Sequence, residues 1–224
     1  MKPLSIITAI FACVIAASIT FPAYAREAEA ERQGKPFPPE RIEELEEARE
    51  WQKPDQIMEF LDIQEGNVVA DIGTGTGYFA LYLSDAVGKS GLVYAEEIQQ
   101  EMVDYTQEKI EEEGIKNTKV ILGEPDDPKL PENSLDLALM GNVYHEVENP
   151  VALLKSIARS LKSDGSLVII DWRSDVESEF GPSMMERVSE DAVEADAEEA
   201  GYYMVRHHPF LRYHYFLIFK KRPE

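Results

Sequence analysis

Three glycines on alternate positions are the feature that most limits how this chain can fold. Residues 68–80 read VVADIGTGTGYFA, in which a β-branched run is followed by Asp71, by Gly73, Gly75 and Gly77, and by an apolar restart. The β-branched run predicts a buried strand, and the restart predicts a helix. Because glycine lacks a Cβ, the turn between them can bend sharply and bring bare backbone against a ligand at the helix N-terminus.

Beyond Gly66, short apolar runs alternate with longer amphipathic ones, which is typical of a parallel sheet with helices on both faces. Strands are predicted at 68–72, 92–96, 119–123, 135–140 and 167–171, and helices at 78–86, 99–113, 150–161 and 184–200. Two further strand-like runs follow Gly201 and are separated only near His208–Arg212, a gap too short for a crossover helix. They must therefore pair as an antiparallel hairpin, which predicts an α/β sheet of seven strands, mostly parallel, with the last one reversed.

Composition and charge limit the possible partners. With 224 residues, 44% hydrophobic and 29% charged, the chain is typical of one globular domain. The net charge of −21 is spread over amphipathic helices, and the absence of a clustered basic face argues against nucleic acid as a partner. The only cysteine is Cys13, and His207, His208 and His214 have no carboxylate nearby at metal-site spacing, so no metal site is predicted.

The first 25 residues differ from the rest and predict an export signal. They carry Lys2 as the only charge, then a long apolar run, and they end with Ala23 and Ala25 at the spacing of a signal-peptidase site. Cleavage after Ala25 would give an exported, periplasmic protein. The alternative is an uncleaved anchor, since Leu4–Phe21 is nearly long enough to span a bilayer, and only then would a membrane be a partner.

The polar, proline-containing segment 26–40 is predicted to be a flexible leader, and residues 41–224 are predicted to form the domain. That domain is expected to begin with a helix over Arg41–Gln52, followed by a second helix over Asp55–Leu61.

The glycine turn fits two classes of ligand. Residues 75–80 match the dinucleotide pattern G-x-G-x-x-A, and Glu97 lies twenty positions beyond Gly77, as in NAD(P)-dependent oxidoreductases. That match leaves Gly73 unexplained and places Asp71 against a pyrophosphate of like charge. A cationic ligand reverses the sign of this interaction, and S-adenosylmethionine carries a sulfonium and an amino group.

The stretch D-I-G-T-G-T-G from Asp71 to Gly77 resembles motif I of class I S-adenosylmethionine-dependent methyltransferases. Glu97 in VYAEEI resembles the acid that ends their second strand and binds both ribose hydroxyls. The run SLKSDGSLVIID (160–171) is similar to the helix, turn and fifth strand of the same family. The resemblance covers about residues 41–221 and implies a Rossmann-like three-layer sandwich, S-adenosylmethionine as cofactor and methyl transfer. The runs WQKPD, DDPKLP, VYHE and HYFLIF resemble, more narrowly, an uncharacterised group of exported methyltransferase-like proteins.

The resemblance also implies roles for individual residues in the loops that follow the strands. The implied cofactor contacts are Asp71 near the amino group, Gly73, Thr74, Gly75 and Gly77 along the methionine part, Glu97 on the ribose, Ile98 on the adenine and Asn142 at the methionine end. The acid that meets the adenine amino group falls on Asp126, with Glu124 as second choice, because the expected G-D-A reads G-E-P here.

Methyl transfer needs alignment of acceptor, methyl group and sulfur, and it needs a base only if the acceptor must lose a proton. Tyr144 and His145 follow the fourth strand directly and are the candidate catalytic residues, with Glu146 placed to orient His145. A histidine that braces the loop is the alternative. The acceptor is expected to be an unidentified small molecule, and an exported, non-catalytic binding module on the same fold remains a second class of function.

Overall fold

The computed structural model describes residues 34–45 and 52–223. The predicted export signal, the first part of the predicted leader and residues 46–51 lie outside the described residues. Where the first helix is predicted over Arg41–Gln52, the described part is a 3-10 helix, Pro39–Leu45. Across the two described ranges, no helix is both long enough and apolar enough to span a bilayer.

One seven-stranded sheet runs through the described part of the chain, with its strands in the order β3-β2-β1-β4-β5-β7-β6. The strands are β1 Val68–Ile72, β2 Leu92–Glu97, β3 Thr118–Leu122, β4 Leu135–Gly141, β5 Leu161–Trp172, β6 Tyr202–His207 and β7 His214–Lys221. β7 is antiparallel to both of its neighbours, and the remaining pairs are parallel. The predicted fold, including the reversed last strand, is confirmed.

Five α-helices cover the sheet in the described residues: α1 Pro54–Phe60, α2 Tyr78–Val87, α3 Gln100–Glu112, α4 Pro150–Ser160 and α5 Glu190–Glu199. A short 3-10 helix, Tyr144–Glu146, follows β4. Proline at the first position starts α1 and α4, where its missing N–H has no intrahelical partner to lose.

The hydrophobic core lies in two layers, one on each face of the sheet. Successive strand residues point to opposite faces, so Val69 packs with α1 and α2 while Ala70 packs with α4 and α5. Both layers are built from buried aliphatic and aromatic side chains, which explains why the parallel strands read as continuous apolar runs. The result is the expected three-layer sandwich.

The fifth strand is longer than predicted. The sequence predicts a helix to Leu161 and a turn at S-D-G, but α4 ends at Ser160 and the strand begins at Leu161. β5 pairs with β4 at Leu161 and again from Ser166, and the register shifts between the two. The residues of the predicted turn therefore form a bulge within the strand.

The acidic helix predicted over 184–200 begins only at Glu190. The guanidinium of Arg187 donates hydrogen bonds to the carbonyl oxygens of Pro182, Arg173 and Val176 at 3.0, 3.1 and 2.6 Å, which holds this segment in an irregular loop. Ser189 then accepts a hydrogen bond from Ala192 N and caps α5.

We predict that Gly73→Ala destabilises the protein more than Gly114→Ala does. Both glycines have a left-handed backbone, with φ of +65° and +68°, so each substitution should cost about 1–2 kcal/mol in backbone strain. A Cβ at Gly73 would also overlap the side chain of Val143, whereas a Cβ at Gly114 would meet nothing within 4 Å. Denaturant unfolding of the two variants should differ by a further ~1–3 kcal/mol, and equal losses would show that Val143 does not close on the loop.

Candidate active site

The glycine loop between β1 and α2 has a backbone that requires glycine. Gly73, Gly75 and Gly77 have φ of +65°, +55° and +76°, all in the left-handed region. Thr74 Oγ1 donates a hydrogen bond to Asp71 Oδ2 at 2.6 Å, and Gly77 N donates to Thr74 O at 2.9 Å. Asp71 thus braces the loop from inside, and it is 2% exposed.

Two glutamates at the end of β2 occupy main-chain donors of this loop. Gly73 N donates to Glu96 Oε2 at 3.3 Å, and Gly75 N donates to Glu97 Oε2 at 3.1 Å. The other oxygen of Glu97 accepts from Ile98 N at 2.8 Å and from Gln99 N at 3.1 Å. The loop therefore presents carboxylates where a phosphate-binding loop would present free N–H groups.

Burial gives this cluster of acids an unusual affinity for protons. Burial raises the pKa of Asp71 to about 7 and, together with the neighbouring charge of Glu97, raises the pKa of Glu96 to about 8. Burial also raises the pKa of Glu97, against the effect of its main-chain hydrogen bonds, and raises that of Glu146 to about 7. Within the described ranges, no lysine or arginine forms an ion pair with these four acids.

His145 lies between two carboxyl groups. Its Nδ1 is 2.8 Å from Asp171 Oδ1, its main-chain N donates to Asp171 Oδ2 at 3.0 Å, and its Nε2 is 3.7 Å from Glu146 Oε1. Burial opposes the charged imidazole, but the charge and hydrogen bond of Asp171 outweigh it and raise the pKa of His145. His145 in turn holds the pKa of the buried Asp171 below its usual range, against the effect of burial.

The segment before β1 also reaches the site. Phe37 N donates to Glu146 Oε2 at 2.8 Å, and Gln99 Nε2 donates to Phe37 O at 3.0 Å, so this main chain links the loops that follow β2 and β4. Leu45 Cδ1 lies 3.8 Å from the position of a Cβ on Gly75. Residues 34–40 thus contact the site directly, although the sequence predicts that they belong to a flexible leader.

Tyr144, a predicted catalytic residue, lies in the core, whereas Glu124 and Asp126, the predicted adenine contacts, lie in the exposed loop after β3. The ring of Tyr144 is fully buried in the core layer of α4 and α5, and its hydroxyl donates to Asp196 Oδ2 at 2.6 Å, so the structure does not bring it to the glycine loop. Glu124 is exposed and lies 3.1 Å from Lys129 Nζ, and Asp126 is exposed beside it. Sequence reasoning missed Glu96, whose carboxyl group fills the space over Gly123.

Asn142 follows β4 as predicted and has a left-handed backbone with φ of +60°. Its N donates to Ile170 O at 2.8 Å, and its buried Oδ1 has no hydrogen-bond partner among the residues that the structure describes. Val143, the next residue, packs on Gly73. Asn142 therefore adjoins the glycine loop.

Trp172 and Arg173, at the end of β5, both have structural partners. Trp172 is 5% exposed and packs against the Arg187 guanidinium, 5.2 Å away, and the His214 ring, 4.3 Å away. Arg173 pairs with Asp175 at 2.8 Å. Among the residues that the structure describes, no group of three or more potential ligands is arranged to hold a metal ion.

We predict that the free energy of unfolding of the ligand-free protein falls as pH rises from 5 to 8. Over this range the folded state retains protons on Asp71, Glu96 and Glu146 that the unfolded chain, with ordinary carboxyl pKa values, has already released. The raised pKa of His145 acts in the same direction. Each retained proton contributes a slope of about −1.4 kcal/mol per pH unit, which urea unfolding at several pH values would measure.

Glu96→Gln should flatten this slope, and Glu101→Gln, at an exposed position on α3, is the matched control. A stability that is flat or rises over this pH range would show that the buried acids do not hold protons.

Comparison with known proteins identifies relatives of this chain. Residues 70–169 match the family model described as "Methyltransferase domain". The chain is 34% identical to a SAM-dependent methyltransferase from Aquifex aeolicus of known crystal structure, covering 82% of this chain and 98% of that one with a TM-score of 0.78. A putative type 11 methyltransferase from Sulfolobus solfataricus, 23% identical with a TM-score of 0.62 over 79% of this chain and 94% of that one, shares the fold.

Among curated proteins, the demethylmenaquinone methyltransferase of Geobacillus stearothermophilus is 28% identical over 121 residues, which are 54% of this chain and 51% of that protein. The chain spans about half the length of the curated relatives it matches.

Proposed function

Because the chain belongs to the family of class I S-adenosylmethionine-dependent methyltransferases, we propose that it transfers a methyl group from S-adenosylmethionine to a small-molecule acceptor. The observation that carries this proposal is the set of carboxyl groups on the glycine loop, where Glu96 and Glu97 accept the hydrogen bonds of Gly73 N and Gly75 N. A cationic nucleoside stabilises these acids in their ionised form, whereas a diphosphate would be repelled by them once they are ionised.

The residues present fit this cofactor. A carboxylate has about four lone-pair sites, and Glu97 uses three of them for Gly75 N, Ile98 N and Gln99 N. One site remains to accept a ribose hydroxyl. In this proposal the loop from Gly73 to Gly77 holds the methionine part, and Asn142 lies near its methyl group.

The bound cofactor supplies an activated methyl group on its sulfonium, so the chain's own contribution is alignment and exclusion of water. Residues 34–45 suit this second task, since Phe37 bridges the loops after β2 and β4 while Leu45 approaches Gly75. The ligand's positive charge would stabilise the buried acids in their ionised form. Binding should therefore release protons from them.

His145 fits a bracing role better than that of a base. Both of its ring nitrogens face carboxyl groups, and its raised pKa favours an imidazolium, which has no lone pair to accept a proton. Asp171 is the positioning residue that holds it, through Nδ1 and through the main-chain N of His145. Acceptors whose proton can leave to water need no base in this site.

The alternative dinucleotide function is poorly supported. A pyrophosphate at the glycine loop would have to displace two carboxyl groups from Gly73 N and Gly75 N. Within the described ranges, no lysine or arginine is paired with those groups to attract it. A non-catalytic binding module would keep the same cofactor contacts, so only transfer of a labelled methyl group separates it from an enzyme.

The relatives' names support a small-molecule acceptor, and a screen of phenols, thiols, amines and carboxylates would identify its class.

We predict that Glu97→Gln weakens binding of S-adenosylmethionine at least tenfold, because the amide has one acceptor oxygen where the carboxylate has two. Loss of a charge-assisted hydrogen bond costs about 1.5–3 kcal/mol. Isothermal titration calorimetry measures the affinity, and Glu101→Gln on α3 should leave it unchanged. Unaltered affinity in Glu97→Gln would remove Glu97 from the cofactor site.

We also propose that residues 1–25 direct export and that the mature chain begins at Arg26. Cell fractionation followed by mass spectrometry should find the mature protein in the periplasm with Arg26 as its first residue, and Ala25→Arg should block cleavage. A full-length chain retained in the membrane would support the anchor alternative, in which the domain can meet cofactor made in the cytoplasm.

A further inference from the structure

Residues 34–45 form a strap that lies across the loops at the carboxyl edge of the sheet. Gly34 packs so closely on the loop after β4 that a Cβ there would overlap the main chain of Glu146 and Glu148. At the other end of the strap, Leu45 approaches the glycine loop at Gly75. The strap therefore runs from one loop to the other, across the place where the cofactor is proposed to bind.

The main chain of Phe37 ties the strap to the loops on both sides of this place. Prolines stand at positions 36, 38 and 39 and have no N–H, so Phe37 N is the only main-chain donor in residues 36–39. It donates to Glu146 Oε2 at 2.8 Å, and Phe37 O accepts from Gln99 Nε2 at 3.0 Å. The strength of the bond to Glu146 thus bears directly on whether the strap stays in place.

The carboxyl group of Glu146 can be neutral or ionised near neutral pH. Burial raises the pKa of Glu146 to about 7, and the charges of Asp171 and Glu97 act in the same direction. The charge of His145, whose Nε2 lies 3.7 Å from Glu146 Oε1, and the hydrogen bond from Phe37 N act against them. Because the charge of Glu97 reaches Glu146, a ligand charge beside Glu97 acts on it too, with the opposite sign if the ligand is a cation.

Other ionisable groups near the strap favour one charge state. Hydrogen bonds from Ser183 hold the pKa of Glu186 below its usual range, and the charges of His145 and Lys35 act in the same direction. Asp171 raises the pKa of His145, and the charge of Glu186 adds to that effect. Near neutral pH, the carboxylate of Glu186 and the imidazolium of His145 are therefore favoured, whereas the charge of Glu146 can change.

Methyl transfer removes a positive charge from the cofactor site. As the carbon–sulfur bond breaks, its electron pair stays on sulfur and the methyl carbon bonds to the acceptor atom, which leaves neutral S-adenosylhomocysteine. The positive charge passes to the acceptor and departs with the proton that the acceptor loses to water. A cation in the site favours ionised Glu146, and its loss favours the neutral form. A hydrogen bond to an ionised acceptor is about twice as strong as one to a neutral acceptor.

We propose that Glu146 distinguishes the cofactor from its demethylated product by charge and transmits this difference to the strap through Phe37 N, an inference that rests on the proposed function. With S-adenosylmethionine bound, ionised Glu146 holds the strap over the site. After the methyl group has left, Glu146 takes up a proton from water, its bond to Phe37 N weakens and the strap opens for the product. Glu146 is thus a positioning residue that acts through the strap.

Amide exchange at Phe37 tests this proposal without turnover. NMR of the full chain at pH 6 should show exchange about tenfold slower with saturating S-adenosylmethionine than with saturating S-adenosylhomocysteine. Sinefungin, an analogue that carries an ammonium group at the sulfonium position, should protect Phe37 as S-adenosylmethionine does. At pH 8.5, where Glu146 is ionised with either ligand, the difference between S-adenosylmethionine and S-adenosylhomocysteine should disappear.

Glu146→Gln separates charge from hydrogen bonding, because the amide oxygen can still accept from Phe37 N but the group cannot ionise. In this variant both ligands should protect Phe37 equally at pH 6. Glu148→Gln, at an exposed position in the same loop, is the matched control and should keep the difference seen in the parent.

Three results would overturn the proposal: equal protection by both ligands in the parent at pH 6, a difference that persists at pH 8.5, or a difference that survives in Glu146→Gln. Calorimetry on the same samples tests the proposed function separately. That function would be refuted if neither S-adenosylmethionine nor S-adenosylhomocysteine bound to the parent.

Discussion

The pairing of carboxylates with a glycine loop determines what this site can bind. Glu96 and Glu97 accept hydrogen bonds from Gly73 N and Gly75 N, and Asp71 accepts one from Thr74 within the same turn. Removing these acids from water is costly, as their raised pKa values show. In the ligand-free protein, retained protons offset that cost, and a cationic ligand can take their place. Among the described residues, no lysine or arginine is paired with these acids.

This constraint organises the loops around it. The main chain of Phe37 joins the loop after β2 to Glu146 in the loop after β4. Glu146 faces His145, and Asp171 at the end of β5 holds the His145 ring. Contacts therefore run along the carboxyl ends of the four neighbouring parallel strands β2, β1, β4 and β5, where α/β sheets bind their ligands.

Features with a local cause could be predicted from the sequence. The three alternate glycines predict a left-handed backbone, which the structure has at Gly73, Gly75 and Gly77. The short gap around His208–Arg212 predicts the reversed β7, because no crossover helix fits in it. These inferences depend on the chain's stereochemistry and length alone, which explains why they hold without knowledge of distant contacts.

Features that depend on contacts distant in sequence could not be predicted. Asp171 orients His145 across 26 positions, and Glu96 reads as one more residue of a strand until its position beside Gly73 is known. The acidic helix starts late because Arg187 binds carbonyl oxygens of the preceding loop, a contact for which helical periodicity carries no signal.

Calorimetric titration of one protein sample with S-adenosylmethionine and with NAD, in buffers of different ionisation enthalpy at pH 7.5, tests the electrostatic claim most directly. The account predicts that S-adenosylmethionine binds with release of protons and that NAD gives no heat. Binding of NAD without binding of S-adenosylmethionine, or uptake of protons with the latter, would contradict it.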